Sequence, residues 1–148
     1  MIEQVLVTNN NLSEIEESFP QVLWKNCLKE SLINNKFTKY FTYKIDNQIV
    51  AFINYSIMYE RAELIDIYVL DRYRNQKIAT TLLEYMINDC HQENVTSITL
   101  EVKVTNTNAI SLYKKFNFEE ISIRKGYYEG IDGILMRKEL IQWKMFIS

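Results

Sequence analysis

One change of hydrophobic period constrains this chain more than any other feature. From Ser97 it reads SITLEVKVTNTNAISLYKKFNF. The first half alternates: Ile98, Leu100, Val102 and Val104 face one side of a strand, and Thr99, Glu101 and Lys103 face the other. From Asn106 the spacing lengthens. Ala109, Leu112, Tyr113 and Phe116 recur at three- and four-residue steps, as on one face of a short helix. Thr105, Asn106 and Asn108 are natural caps for its first turn. A strand therefore delivers a carboxylate at Glu101, a polar turn follows, and a helix delivers a phenol at Tyr113, twelve residues on.

The same switch occurs upstream. A β-rich run over Ala62 to Leu70, with Ile65, Ile67 and Val69 alternating, leads into DRYRNQKIATTLLEYMINDC. There Ile78, Leu82, Leu83, Met86, Ile87 and Cys90 share one face, which predicts a helix from about Gln76 to His91. The first amides of such a helix have no partner within it, and with the helix dipole they attract phosphate oxygens. A basic turn such as RNQKIA is, by itself, more often only solvated. Two further β runs, Lys39 to Ile45 and Ile49 to Met58, are joined by a hairpin turn at Asp46-Asn47. With the third run they predict three neighbouring antiparallel strands. Ile2, Val5 and Val7 suggest a short first strand, and helical segments are expected over 13–18 and from Gln21 to about Ile33, broken by Phe19-Pro20. After Phe118, strands over Glu119 to Arg124 and Ile131 to Leu140 flank Gly126-Tyr127-Tyr128-Glu129-Gly130. The tail carries Trp143, Met145, Phe146 and Ile147, which either pack back or meet another molecule.

Composition narrows the class. At 148 residues, the span 1–148 reads as one domain, and 47% hydrophobic content argues for a packed globule. A net charge of −2 disfavours direct nucleic-acid binding, which wants a basic patch, yet permits a basic peptide substrate. Cys27 and Cys90 form no C-x-x-C and read as reduced, buried thiols of a cytoplasmic protein. MIEQVLV lacks the features of a secretory signal, no stretch approaches a membrane span, and no His/Cys cluster has metal-ligand spacing.

The segment LEVKVTNTNAISLYKKFNFEE resembles the strand–helix–strand unit of the GNAT N-acetyltransferases, and within them the bacterial ribosomal-protein-alanine N-acetyltransferases. The shared pattern is Leu100-Glu101-Val102, then Asn106 with Ala109, Leu112 and Tyr113, then Phe118 and Tyr127-Tyr128. It extends through IDIYVLDRYRNQKIATTLL and more weakly to SFPQVLW, so it covers nearly the whole chain. The resemblance implies an α/β (α+β) fold: a single domain with a mixed, mostly antiparallel central sheet flanked by about four helices. It implies acetyl-coenzyme A as co-substrate, with no metal. Glu101 is then the general base, acting through water, and Tyr113 the general acid. The backbone of Ile67, Tyr68 and Val69 would pair with the acetyl-pantetheine arm. The turn Arg74, Asn75, Gln76, Lys77, Ile78 and Ala79 would hold the pyrophosphate. In that turn Lys77 stands where the family places glycine, so binding is expected to depend on the Lys77 charge. Asn106 is either a cofactor contact or only a helix cap. Asn117, in place of a family glycine, suits a left-handed helix terminus. Tyr127-Tyr128 would line a peptide groove, and the segment from Gln21 to about Ile33 would close over the acceptor, though on the sequence alone that segment reads as an amphipathic helix packing on the sheet.

Without the resemblance, Glu101 reads as a solvent-facing strand carboxylate and Tyr113 as a half-buried tyrosine satisfied locally. Acyl transfer to an amine needs the amine neutral, and an α-amino group, with a reference pKa of about 8 against about 10.4 for lysine, meets that need more easily. The expected activity is therefore acetylation of a protein N-terminus, such as the alanine of a ribosomal protein. The alternatives are a GNAT enzyme for a small-molecule amine and a non-catalytic coenzyme A-binding module.

Overall fold

The computed structural model describes residues 1–5, 17, 19 and 36–140. Seven strands, β1 (Ile2–Gln4), β2 (Thr38–Ile45), β3 (Gln48–Met58), β4 (Arg61–Val69), β5 (Ser97–Lys103), β6 (Glu119–Tyr128) and β7 (Ile131–Glu139), form one sheet in the order β1-β2-β3-β4-β5-β7-β6. The β1–β2, β2–β3, β5–β7 and β6–β7 pairs are antiparallel, and β4–β5 is parallel. A parallel pair needs a long crossover. Here the crossover carries a 3-10 turn (Asp71–Tyr73) and helix α1 (Ile78–Gln92); helix α2 (Thr107–Lys115) follows β5. This is the expected mixed, mostly antiparallel sheet. Of the four expected helices, α1 and α2 are described. Those over 13–18 and 21–33 fall outside the described residues, apart from Glu17, as do Cys27 and the tail beyond Leu140.

The chain divides into two compact units, Met1–Ser56 with Asp66–Met86, and Ile57–Ile65 with Ile87–Ser148. In the first, strand alternation sends Tyr40 and Phe41 to opposite faces. Tyr40 stacks on Phe52 at 5.4 Å, and Phe19 meets Phe52 edge-on at 4.7 Å and Tyr68 at 5.9 Å. Phe41 stacks on Tyr55 at 5.8 Å and touches Tyr85 of α1 at 4.8 Å. Leu82, Leu83 and Met86 are fully buried, as the helical period requires. Each such side chain contributes about 1.5–3 kcal/mol by leaving water. Asp46 (φ 49°) and Asn47 (φ 66°) are both left-handed, which suits a tight hairpin turn.

In the second unit Ile98, Leu100 and Val102 of β5 are buried, with Ile134 and Met136 of β7 and Ile87 and Cys90 of α1. The parallel ladder runs from Arg61↔Ser97 to Leu64↔Leu100. Two expectations need correction. Val104 does not share the buried face: β5 ends at Lys103, and Val104 is exposed in the turn, its N–H bonded to the Asp132 carbonyl at 2.9 Å. The predicted loop over 126–130 is mostly strand. β6 continues through Tyr128, and only Glu129 (φ 48°) and Gly130 (φ 91°) reverse the chain. Irregularities between Glu120 and Ser122 and between Arg124 and Tyr128 interrupt β6, the last strand of the sheet order.

Candidate active site

In the first unit, the aromatic contacts fix Tyr68 by its side chain, so what β4 presents at Ile67, Tyr68 and Val69 is chiefly backbone. These residues lie beyond the last rung of the parallel ladder, at Leu64. Past the strand, Arg74 closes the turn. Its Nε donates to the Val69 carbonyl at 3.1 Å, its guanidinium pairs with Asp71 at 3.0 Å, and it lies 5.5 Å from the Tyr68 ring centre. Arg74 thus shapes the loop.

The next residues reverse sharply, with Asn75 at φ 64° and Lys77 at φ 62°. Lys77 adopts the left-handed torsion that glycine would take without penalty. Its carbonyl accepts from the Thr81 N–H at 3.0 Å and the Thr81 hydroxyl at 2.9 Å, which starts α1. Ile78 is buried and anchors the first turn, while Gln76 and Lys77 are exposed and Ala79 is half-buried. The first turn of α1 contains no acidic residue. Amides of Ile78 and Ala79 without an intrahelical acceptor, the dipole and the Lys77 ammonium make a donor set that fits a pyrophosphate.

In the second unit, Glu101 lies on the polar face of β5, its side chain 18% exposed, and its Oε1 receives the Arg124 Nε at 3.0 Å. Tyr113 is the buried residue of α2, with its ring 5.8 Å from that of Phe118, edge to face. Ala109, Leu112 and Phe116 are only half-buried, so the expected stripe is shallower than its period suggests. Asn106 is the N-cap of α2: its Oδ1 accepts from the Ala109 N–H at 3.3 Å. The cap uses the oxygen end of the amide, so a cofactor contact through the nitrogen remains compatible with it. Asn117 takes φ 67° after α2. Tyr127 and Tyr128 stand on the β6–β7 hairpin, ring centres 5.0 Å apart.

Arg124 was not legible as a site residue, because its contact with Glu101 depends on β7 lying between β5 and β6. Nor was Lys103, whose Nζ stands 5.5 Å from the Tyr128 ring centre. Among the described residues no group of acidic, His and Cys side chains is placed to hold a metal ion, and no helix is long and apolar enough to cross a membrane.

Residues 9–118 match the acetyltransferase (GNAT) family model. The chain is 35% identical to the [ribosomal protein bS18]-alanine N-acetyltransferase of Haemophilus ducreyi, over 90% of this chain and 92% of that one. The ribosomal-protein-S18-alanine N-acetyltransferase of Escherichia coli superposes with a TM-score of 0.79, at 26% identity and 94% coverage of each chain. Arabidopsis thaliana Naa50, solved with the bisubstrate analogue CoA-Ac-MVNAL, superposes with a TM-score of 0.76, at 25% identity over 94% of this chain and 99% of that one. A turn chemically suited to a pyrophosphate thus belongs to a chain that superposes on a protein solved with a coenzyme A bisubstrate analogue: it is a member of the acetyltransferase (GNAT) family, an N-acetyltransferase that uses acetyl-coenzyme A.

Proposed function

We propose that this enzyme acetylates the N-terminal α-amino group of a protein, with a ribosomal protein beginning in alanine as the acceptor. The relatives named for that reaction support the acceptor class. The observation that carries the chemistry is the Glu101 carboxylate, partly buried on the polar face of β5 and held by one oxygen.

In this reading the backbone of Ile67, Tyr68 and Val69 aligns the pantetheine arm, and Arg74 shapes the turn through which Asn75, Gln76, Lys77, Ile78 and Ala79 receive the pyrophosphate. Asn106 donates its side-chain N–H to the cofactor. Glu101 takes a proton from the acceptor ammonium through a water molecule. The neutral amine forms the new C–N bond to the acetyl carbonyl carbon, the C–S bond breaks, and the nitrogen releases its second proton to solvent, as does Glu101 the first. The thiolate takes a proton from Tyr113, whose phenol is restored from solvent. No acyl-enzyme forms, so both acetyl and proton balance within one transfer.

Turnover of acetyl-coenzyme A, read as thiol release, is measured with a peptide copying an alanine-initiated ribosomal N-terminus, an N-acetylated control and a panel of small amines. The free peptide is the preferred acceptor. Glu101→Gln and Tyr113→Phe each lower kcat by about 10²–10⁴ with little change in acetyl-coenzyme A affinity. Wild-type turnover by Glu101→Gln, or preference for a small amine, overturns the proposal.

A further inference from the structure

We propose that Arg124 is the positioning residue for the Glu101 carboxylate, and that it governs turnover rather than cofactor binding. The inference rests on the reading of Glu101 as the base.

Glu101 and Arg124 lie two strands apart. Glu101 pairs with Leu135 of β7; two rungs on, Lys103 pairs with Gly133, which in turn pairs with Arg124 of β6. Directly paired residues, and alternate residues of a strand, share a face. Glu101, Lys103, Leu135, Gly133 and Arg124 therefore all face the same side. The backbone gap from β5 to β6 is two inter-strand spacings, about 10 Å. An extended arginine is long enough to bridge it, and glycine in the middle of the Lys103–Gly133–Arg124 rung leaves room for the Tyr128 ring that packs beside the pair. The guanidinium reaches Oε1 at 3.0 Å.

The surroundings hold it in place. The Arg124 guanidinium lies 5.2 Å from the Tyr127 ring centre, and Tyr127 packs against Tyr128. Tyr128 fills the space over Gly133 so closely that a Cβ added there would stand 3.0 Å from its ring. Arg124 is thus backed by an aromatic pair and faces a partly buried carboxylate. An exposed ion pair supported by nothing else would contribute little. This one fixes one carboxylate oxygen, Oε1, and aims the other, Oε2, as the proton acceptor. Lysine keeps the charge but lacks the planar fork that supplies Nε.

The test compares Arg124→Gln and Arg124→Lys, each alone and combined with Glu101→Gln, for kcat, acetyl-coenzyme A KM and urea midpoint. Arg124→Gln is expected to lower kcat roughly 10- to 100-fold, the cost of a misaligned catalytic group. KM and midpoint stay near wild type, and Arg124→Lys recovers part of the loss. In the Glu101→Gln background, Arg124→Gln produces no further loss, because the two act as one unit. Three results each overturn the inference: wild-type kcat in Arg124→Gln, the same fold-loss in both backgrounds, or an effect confined to KM or midpoint. Wild-type kcat in Glu101→Gln alone instead removes the base itself, and separates failure of that reading from failure of this one.

Discussion

Lys77 combines two roles that substitution can separate. Its torsion, φ 62°, is one that a residue with a Cβ adopts at a cost of about 1–2 kcal/mol. The residue is exposed and immediately precedes the first amides of α1, which are suited to phosphate. Lys77→Ala removes the charge and keeps the torsional cost; Lys77→Gly removes both. Glycine also loosens the unfolded chain, which returns about 0.4–1 kcal/mol. Lys77→Gly should therefore be more stable than Lys77→Ala by about 0.5–1 kcal/mol, readable as a shift in urea midpoint at constant slope. For binding, an exposed charge about 4 Å from a phosphate is worth about 1 kcal/mol, so Lys77→Ala should weaken acetyl-coenzyme A by about fivefold. That difference should shrink as salt is raised, because the pair is screened. Calorimetric titration at low and high salt measures it. If Lys77→Gly is less stable than Lys77→Ala, the torsional argument fails. If Lys77→Ala binds as tightly as wild type at low salt, the charge argument fails.

Asn106→Ala should cost about 1 kcal/mol by losing the cap of α2, whereas Asn106→Ser keeps a capping oxygen and most of that stability. If the amide also donates to the cofactor, both variants raise the acetyl-coenzyme A KM; a rise in neither assigns Asn106 to the cap alone. Tyr40 carries the pH prediction. Burial, and then the nearby Asp66 carboxylate, push its phenol well above the ordinary range. The folded state keeps this proton where the unfolded chain releases it, so stability is full below about pH 10 and falls as pH rises further. Tyr40→Phe should flatten that fall in urea midpoints taken across the range, and parallel curves would contradict the assignment.

Much of the fold can be read locally. All six residues placed on one face of α1 are buried, Asp46-Asn47 turns as expected, and Asn117 is left-handed. In each case the determinant is a period or a torsion carried by neighbouring residues. The strand–turn–helix from Ser97 to Lys115 was legible for the same reason, apart from Val104, where the alternation outlasts the ladder. The geometry of the proposed site was half legible. Glu101 and Tyr113 belong to one continuous pattern, but Arg124 meets Glu101 only because β7 returns between β5 and β6, and no local spacing encodes that insertion. Lys77 was recognisable as a departure from glycine; that the backbone keeps glycine's torsion despite it required the structure.

The two interruptions of β6 bear on how the protein behaves at high concentration. An outer strand displays a row of hydrogen-bonding groups that a stray chain can copy, the first step toward fibrils. In β6 the stretch between its two irregularities, Ser122 to Arg124, offers three consecutive rungs, and the acidic Glu119 and Glu120 precede it. A run so short gives an incoming strand too few bonds to settle, even with Ile123 at its centre 60% exposed. The same kinks that carry Tyr127 and Tyr128 onto their hairpin thereby guard the margin of the sheet against self-association.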